Sequence, residues 1–361
     1  MPGPLDDVRV LDLSRLLPGP FCTQLLADLG AEVIKVEDPQ GGDYLRWTPP
    51  LLDDGTSVLF HALNRGKKSV TLDLKTSDGA SQFRKLLGSA DVVVESFRPG
   101  VMEKLGFSPA SLSGEFPRLV VCSISGYGQH GPLRLRAGHD INYVARSGAF
   151  ALMASPVVLP VQVADLAAGA WPAAMQICAA LVGRSRTGAG AVIDVSMKDG
   201  VTGLLSMVLA RTLVGEDVGG GRDLLVGAVP CYGVYATSDG FLSVGALEPK
   251  FWAAFCAALE RPDLADRSFD ADVRAVLVEV LASKTTAAWT TIFSAVDACV
   301  EPVLSPAEAL AEAQRVDVDI DGRVYGFVGL GLDAAGCTGR APTLGQHNAE
   351  LLDSGAPAAT P

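Results

Sequence analysis

The chain has 361 residues, a formal net charge of −12, and a composition of 48% hydrophobic and 19% charged residues. That length exceeds what a single hydrophobic core usually serves, so two domains or one large discontinuous domain are expected, and disorder is excluded. The acidic balance argues against nucleic acid or an anionic membrane as the main partner, while a local basic cluster could still take an anionic ligand.

The start, "MPGPLDDVRV", has no basic n-region and no apolar h-region, so no secretory signal is expected. From there "VRVLDL" reads as a buried strand, "PFCTQLLADLG" as a helix ending at Gly30, and "AEVIKVE" as a second strand. That is a βαβ unit, which needs a helical crossover and gives a parallel sheet. "KKSVTLDLK", a helix around "GASQFRKLLGSA", "DVVVES" and "RLVVCSIS" continue the alternation. The first 130 residues therefore predict an open, doubly wound α/β sheet.

A helix is expected from Asp165 to about Val182, then a strand at "AVIDVSM" and a long helix over "KDGVTGLLSMVLARTLV". The apolar stretch "LAAGAWPAAMQICAALVG" is interrupted by Gly, Pro and Gln, so a buried core helix is expected rather than a membrane span. "DVGGGRDLLVGAV" reads as a loop or domain junction, and "CYGVYATSDGFLSVGAL" as two strands joined by an "SDG" hairpin turn. Residues 250–315 read as mostly helical, and the tail "SGAPAATP" as frayed. Seven cysteines without CxxC spacing, each in or beside an apolar stretch, predict buried reduced thiols in a cytoplasmic protein.

"GYGQHG" matches G-x-G-x-x-G at Gly126, Gly128 and Gly131. The residues that follow are Pro132 and the basic "LRLR" instead of an apolar helix, and no acidic residue stands where a ribose would be gripped. Dinucleotide chemistry is disfavoured. A basic and aromatic belt is the better candidate: Lys67, Lys68, Lys75, Arg98 and Lys104 fall at strand ends or in the loops beyond, with Phe97 available to pack against a flat ring. Any one of these lysines taken alone is more readily read as solvated surface. Three polar oddities remain. His139 in "AGHDINY" is one of four histidines, Asp165 heads a long apolar run, and Glu248 precedes Pro249 in "VGALEPKFW". Taken alone, His139 reads more readily as a structural histidine and Asp165 as an N-cap, Glu248 could simply cap the helix after Pro249, and spacing does not lift any of them to catalysis. Chemically, moving a proton on and off carbon needs two groups on opposite faces, one titrating near neutral pH, and a histidine with two carboxylates would supply them.

Taken together, "VRVLDLSRLLPGPFCTQLLADLGAEVIKVEDPQGGD", "NRGKKSVTLDLK", "ESFRPGVMEKLG", "SGYGQHGP", "AGHDINY", "GAGAVIDVSMKDG", "VGALEPKFW" and "DACVEPVL" resemble the class III CoA-transferase and α-methylacyl-CoA racemase (CaiB/BaiF-type) family across essentially the whole chain. The resemblance implies an α/β fold: a large domain with an open parallel Rossmann-like sheet, plus a smaller α+β domain, in an interlocked homodimer. It places the large domain at 1–215, the small one at 216–310 and a returning segment at 311–361. The implied ligand is an acyl-CoA thioester, with no cofactor beyond the CoA of the substrate and no nucleic-acid or membrane partner. The implied CoA contacts are Arg15, Leu16, Leu72, Lys75, Ser96, Phe97, Arg98, Lys104, Asp140 and Tyr143.

The family holds two chemistries, and both use Asp165. In transferases the matching aspartate attacks the thioester carbonyl and becomes acylated. In racemases it shares the α-proton with a histidine through an enolate. "AGHDINY" and "GALEPKF" are the racemase forms of their segments, so the resemblance implies His139 and Asp165 as the two bases, with Glu248 orienting His139. The alternatives are a transferase and a non-catalytic acyl-CoA-binding member. "SVLFHALNRGKKSV" is closer to the transferase pattern, "LLVGAVPCY" departs from the racemase one, and the interval from His139 to Asp165 is a few residues short. Asp38 stands where relatives often carry an arginine that touches CoA.

Overall fold

In the computed structural model, which describes residues 3–329 and 337–353, the chain divides into two compact units. The first comprises residues 1–147, 159–205 and 313–361; the second comprises 148–158 and 206–312. The break therefore falls after Leu205, ten residues before the expected 215/216 boundary, and residues 148–158 join the second unit. The tail expected to fray, residues 354–361, lies outside the described residues.

The first unit begins with β1 (Arg9–Asp12), α1 (Pro18–Asp28), β2 (Glu32–Glu37), α2 (Val58–Asn64), β3 (Lys68–Thr71) and α3 (Ser77–Leu87). It continues with β4 (Val92–Glu95), α4 (Val101–Lys104), α5 (Pro109–Glu115), β5 (Val120–Ser125), α6 (Asp140–Ser147), α7 (Trp171–Thr187), β6 (Ala191–Ser196) and α8 (Met197–Leu204). Six strands form one parallel sheet in the order β3-β2-β1-β4-β5-β6. The order reverses between β1 and β4, which makes the carboxyl ends of those two strands the topological switch point where open α/β sheets bind ligands. β4 and β5 are buried along their whole length, as continuous runs of Val, Cys, Ser and Ile under helices on both faces require.

Helix α7 departs from expectation. Ala173, Ala174 and Ile177 are buried, and the helix packs on β5, β6 and α1, but Trp171, Met175 and Val182 face outward. It is the core-facing helix expected, covered on one side only. Leu166–Thr187 is also the one segment among the described residues that is long and apolar enough to cross a membrane.

The second unit holds α9 (Ser206–Thr212), β7 (Tyr232–Ala236), β8 (Phe241–Gly245), α10 (Pro249–Ala258), α11 (Val273–Leu281), α12 (Thr286–Phe293), β9 (Val300–Pro302) and α13 (Pro306–Glu312). The expected hairpin is β7–β8, antiparallel, and β9 adds a third antiparallel strand inside the stretch read as helical. Its core gathers Trp252, Phe255, Trp289 and Phe293. The long helix expected over 198–214 is broken at Leu205, between α8 and α9.

Back in the first unit, β10 (Arg315–Ile320) and β11 (Arg323–Val328) form a hairpin around Asp321-Gly322, which the sequence reading had not placed. Both turn residues have positive φ, 52° and 85°, the backbone a two-residue type I′ turn requires. Its inner face, Val316, Val318, Ile320 and Phe327, packs against Leu52, Val58 and Ala62. The C-terminal segment covers the β3 edge: Ser69 N donates to His347 Nδ1, His347 N to the Ser69 carbonyl, and Thr71 N to Asn348 Oδ1. All seven cysteines are free; Cys22, Cys122, Cys231 and Cys256 are buried as expected, but Cys299 is exposed.

Candidate active site

Two cavities open at the switch point, both within the first unit. One, of about 520 Å³, is lined by Arg15–Pro18 beyond β1, Ser96–Pro99 beyond β4, and Ile124–Tyr127 at the end of β5. Arg134, Arg136–His139, Asn142, Tyr143, Asp165 and Met197 complete it. The other, of about 450 Å³, shares Arg15, Ser96, Phe97 and Arg98 with the first and runs over Leu72, Lys75, Asp38 and Val101. The loops after β1 and β4 thus form the neck between a chamber with titratable groups and a chamber along the basic belt.

The β1 loop is held from below by a buried ionic network. Lys35 Nζ lies 2.9 Å from Asp43 Oδ2 and 3.9 Å from Asp12 Oδ2, and donates to the Ser14 carbonyl at 2.9 Å. Lys67 Nζ sits 3.3 Å from Asp12 Oδ2 and donates to Thr23, Asn64 and the Pro20 carbonyl. The two lysines hold the Asp12 carboxyl down at about 2 against its burial, whereas burial lowers Lys67 to about 8. Both oxygens of Asp43 accept the Leu16 N–H, at 3.1 and 3.3 Å. Leu16 is thereby fixed at φ 63°, a left-handed backbone costly for a residue with a Cβ. Arg15 projects beside it, donating to Tyr44 Oη at 3.2 Å and lying over the Tyr44 and Phe97 rings.

The β4 loop has its own support. Glu95 is buried, its Oε2 accepts the Phe97 N–H at 2.7 Å, and burial raises its carboxyl to about 7.

Asp165 and His139 line the same chamber and are joined through Asp140. Asp140 Oδ1 accepts from Ala164 N at 2.6 Å and from Asp165 N at 3.0 Å, tying the first residue of α6 to the segment that carries Asp165. His139 N donates to Asn142 Oδ1 at 3.0 Å, and its carbonyl accepts from Asn142 N and Tyr143 N, so the residue opens α6 with its ring free of that role. Asp165 is itself helical, at φ −67° and ψ −45°, and starts a π-helical turn, Leu166–Ala170; its carboxylate makes no capping bond. The cap reading fails here. Burial, and next the Asp140 carboxylate, push the Asp165 carboxyl up to about 6, with His139 pulling the other way. Tyr143 Oη donates to the Gly138 carbonyl at 2.6 Å, and burial with Asp165 nearby raises the phenol to about 12. Gly126 and Gly138 make room for that ring: a Cβ on Gly126 would meet it at 2.3 Å. The glycines of "GYGQHG" therefore serve side-chain packing and a turn, not a pyrophosphate.

Of the other expected contacts, Leu72 and Lys75 line the second cavity, while exposed Lys104 and half-buried Asp140 line neither. Glu248 belongs to the second unit, where it stands exposed ahead of α10 and makes no side-chain cap. Sequence reasoning missed Arg134 and Arg136 as cavity residues and Asp43 as the anchor of Leu16.

The model of CoA-transferase family III matches residues 5–348. The chain belongs to CoA-transferase family III. Family membership agrees with the fold: a CaiB/BaiF family protein from Brucella suis superposes with a TM-score of 0.82 at 28% identity, covering 99% of this chain and 100% of that one. Human alpha-methylacyl-CoA racemase is 36% identical over 97% of this chain and 92% of its own length. Succinyl-CoA:mesaconate CoA-transferase of Haloarcula marismortui is 33% identical over 97% and 96%. Mouse succinyl-CoA:glutarate CoA-transferase is 36% identical over 86% and 74%. The chain is thus an enzyme-family member with racemase and transferase relatives at similar identity.

Proposed function

We propose that this family III enzyme is a 2-methylacyl-CoA racemase, inverting the carbon next to the thioester by two-base proton transfer. One observation carries the reading: the one imidazole and the one carboxylate that line the first cavity are His139 and Asp165. One base takes the α-proton, the C–H electron pair moves onto the thioester oxygen as an enolate, and the other base returns a proton to the opposite face. The first base ends protonated and the second deprotonated, the reverse of the starting state, which is the form that acts on the opposite enantiomer. An Asp165 carboxyl raised to about 6 suits both halves of that exchange, because neither form is costly near neutral pH. Glu248 is kept from the family resemblance as the residue that orients His139. It makes no cap bond, so Glu248→Gln should slow exchange without moving the melting transition.

The transferase reading also has an observation in its favour, since the uncapped Asp165 carboxylate is free to attack a thioester carbonyl. There the C–S bond breaks, CoA leaves as thiolate and an acyl-aspartyl anhydride forms. One experiment separates the two. The protein is incubated with a 2-methylacyl-CoA in deuterated water and the α-proton is followed by NMR. Exchange without an acceptor acid supports the racemase. No exchange, with CoA transfer to an added carboxylate and hydroxylamine trapping at Asp165, refutes it in favour of the transferase. Binding with neither chemistry leaves an acyl-CoA-binding protein.

A further inference from the structure

The chain carries a net charge of −12, yet its first cavity is lined by four arginines, Arg15, Arg98, Arg134 and Arg136, against the single carboxylate of Asp165. Arg15 and Arg98 stand at the neck shared with the second cavity, and Arg15 is engaged with Tyr44 and Phe97. Arg134 and Arg136 line only the chamber that holds His139 and Asp165. The two buried arginines, Arg46 and Arg65, are matched with Glu37 and Asp28, whereas exposed ones outside the cavity such as Arg146 and Arg186 form no ion pair among the described residues. Among the described residues neither the Arg134 nor the Arg136 guanidinium has an ion-pair or hydrogen-bond partner; only their backbone N–H groups bond, to Gly131 and Leu133. The loop that presents them is short and turn-bonded, beginning at Gly131 with φ 85° and reaching His139 three residues after Arg136.

Two unmatched guanidiniums in a chamber are a site for a planar anion, because the fork of N–H donors fits a carboxylate edge-on. In its resting form the thioester group of an acyl-CoA carries no charge, and Arg15 and Arg98, not Arg134 and Arg136, are the cavity arginines shared with the second chamber. We propose that Arg134 and Arg136 form a subsite for a second carboxylate on the acyl group, so that the favoured substrate is a branched dicarboxylyl-CoA thioester. This rests on the acyl-CoA reading above, and it deepens that reading by assigning the charge of the acyl tail. Both side chains are exposed, so each contact is a partly solvated one, worth about tenfold in affinity, roughly 1.4 kcal/mol.

Binding and chemistry are read separately. The full chain is titrated calorimetrically with 2-methylsuccinyl-CoA and with its uncharged isostere 2,4-dimethylpentanoyl-CoA, and α-proton exchange is followed for both. The expected result is at least tenfold tighter binding of the charged thioester. Arg134→Gln and Arg136→Gln should each cut that preference, the ratio of the two Kd values, by about tenfold, with Arg→Lys variants in between. Equal binding of the two thioesters by the unaltered protein overturns the subsite. So do Gln variants that weaken both thioesters by the same factor, since that places the arginines on the CoA phosphates instead. Exchange of the uncharged thioester without a charge preference leaves the racemase standing and removes only the subsite. A charge preference in binding without any exchange does the reverse.

Discussion

Asp43→Asn is the sharpest test of how this site is held. The substitution keeps the shape and an acceptor for the Leu16 N–H, but removes the charge that sits 2.9 Å from a fully buried ammonium. At an effective dielectric constant of about 20 that attraction is about 6 kcal/mol, and the Asp12 carboxylate at 3.9 Å still supplies about 4 kcal/mol to Lys35. The remainder, together with the cost of leaving a buried charge under-compensated, places the loss near the lower end of measured broken pairs, about 3 kcal/mol. Amide hydrogen exchange at β1 and β2 reads this loss in the first unit alone, which global melting of a two-unit chain does not. Lys35→Met combined with Asp43→Asn should recover at least about 1 kcal/mol of it, because the orphaned charge is gone while Asp12 keeps Lys67. A loss below about 1 kcal/mol for Asp43→Asn, or no recovery in the double variant, would refute the claim that this pair fixes the left-handed Leu16.

Asp165→Asn should abolish exchange and raise stability at pH 8 by about 1–2 kcal/mol, since burial pushes the folded carboxyl up to about 6 and so disfavours its ionised form on folding. The sign is checked by pH: the gain fades as pH falls from about 6 toward 4, where the native carboxyl is protonated anyway, and thermal melts across that range measure it. Asp140→Ala frees the Ala164 and Asp165 amides and should lower kcat at least tenfold while KM moves little, read from initial rates of exchange. Gly126→Ala drives a Cβ into the Tyr143 ring, so both thioester binding and the melting temperature should fall; full binding would show that the ring can move aside. His139→Ala should stop exchange from one enantiomer far more than from the other, measured by chiral resolution of the products.

The sheet and its crossovers were legible because "VRVLDL", "AEVIKVE", "DVVVES" and "RLVVCSIS" are continuous apolar runs separated by helical periodicity, which is what strands buried on both faces require. The β10–β11 hairpin was equally written, in the alternation of "RVDVDI" about Asp-Gly, but it lies just past the helical stretch 250–315, where no element was read. Helix α8 ends at Leu205 with Gly200 and Gly203 in its own last turns, a weakness in helix propensity that the apolar periodicity of the stretch masks. At the site, spacing left His139, Asp165 and Glu248 tied with bland roles, and resemblance singled them out. The structure then removed the capping roles of Asp165 and Glu248. Asp43 and Arg136 were invisible for a different reason: an ion pair between β2 and the loop after it, and a guanidinium without a partner, are facts of three dimensions with no periodicity to announce them.

Asp140 closes the base of the excursion that runs from α6 to Asp165. Whatever the chain does between those two points, the distance between the two proposed bases is set by one carboxylate gripping two amides. Part of that excursion, residues 148–158, belongs to the other unit altogether. The interval from His139 to Asp165, short against the racemase pattern, can therefore shrink or grow like the slack of a rope beyond its knot, and its length is no measure of which chemistry the knot secures.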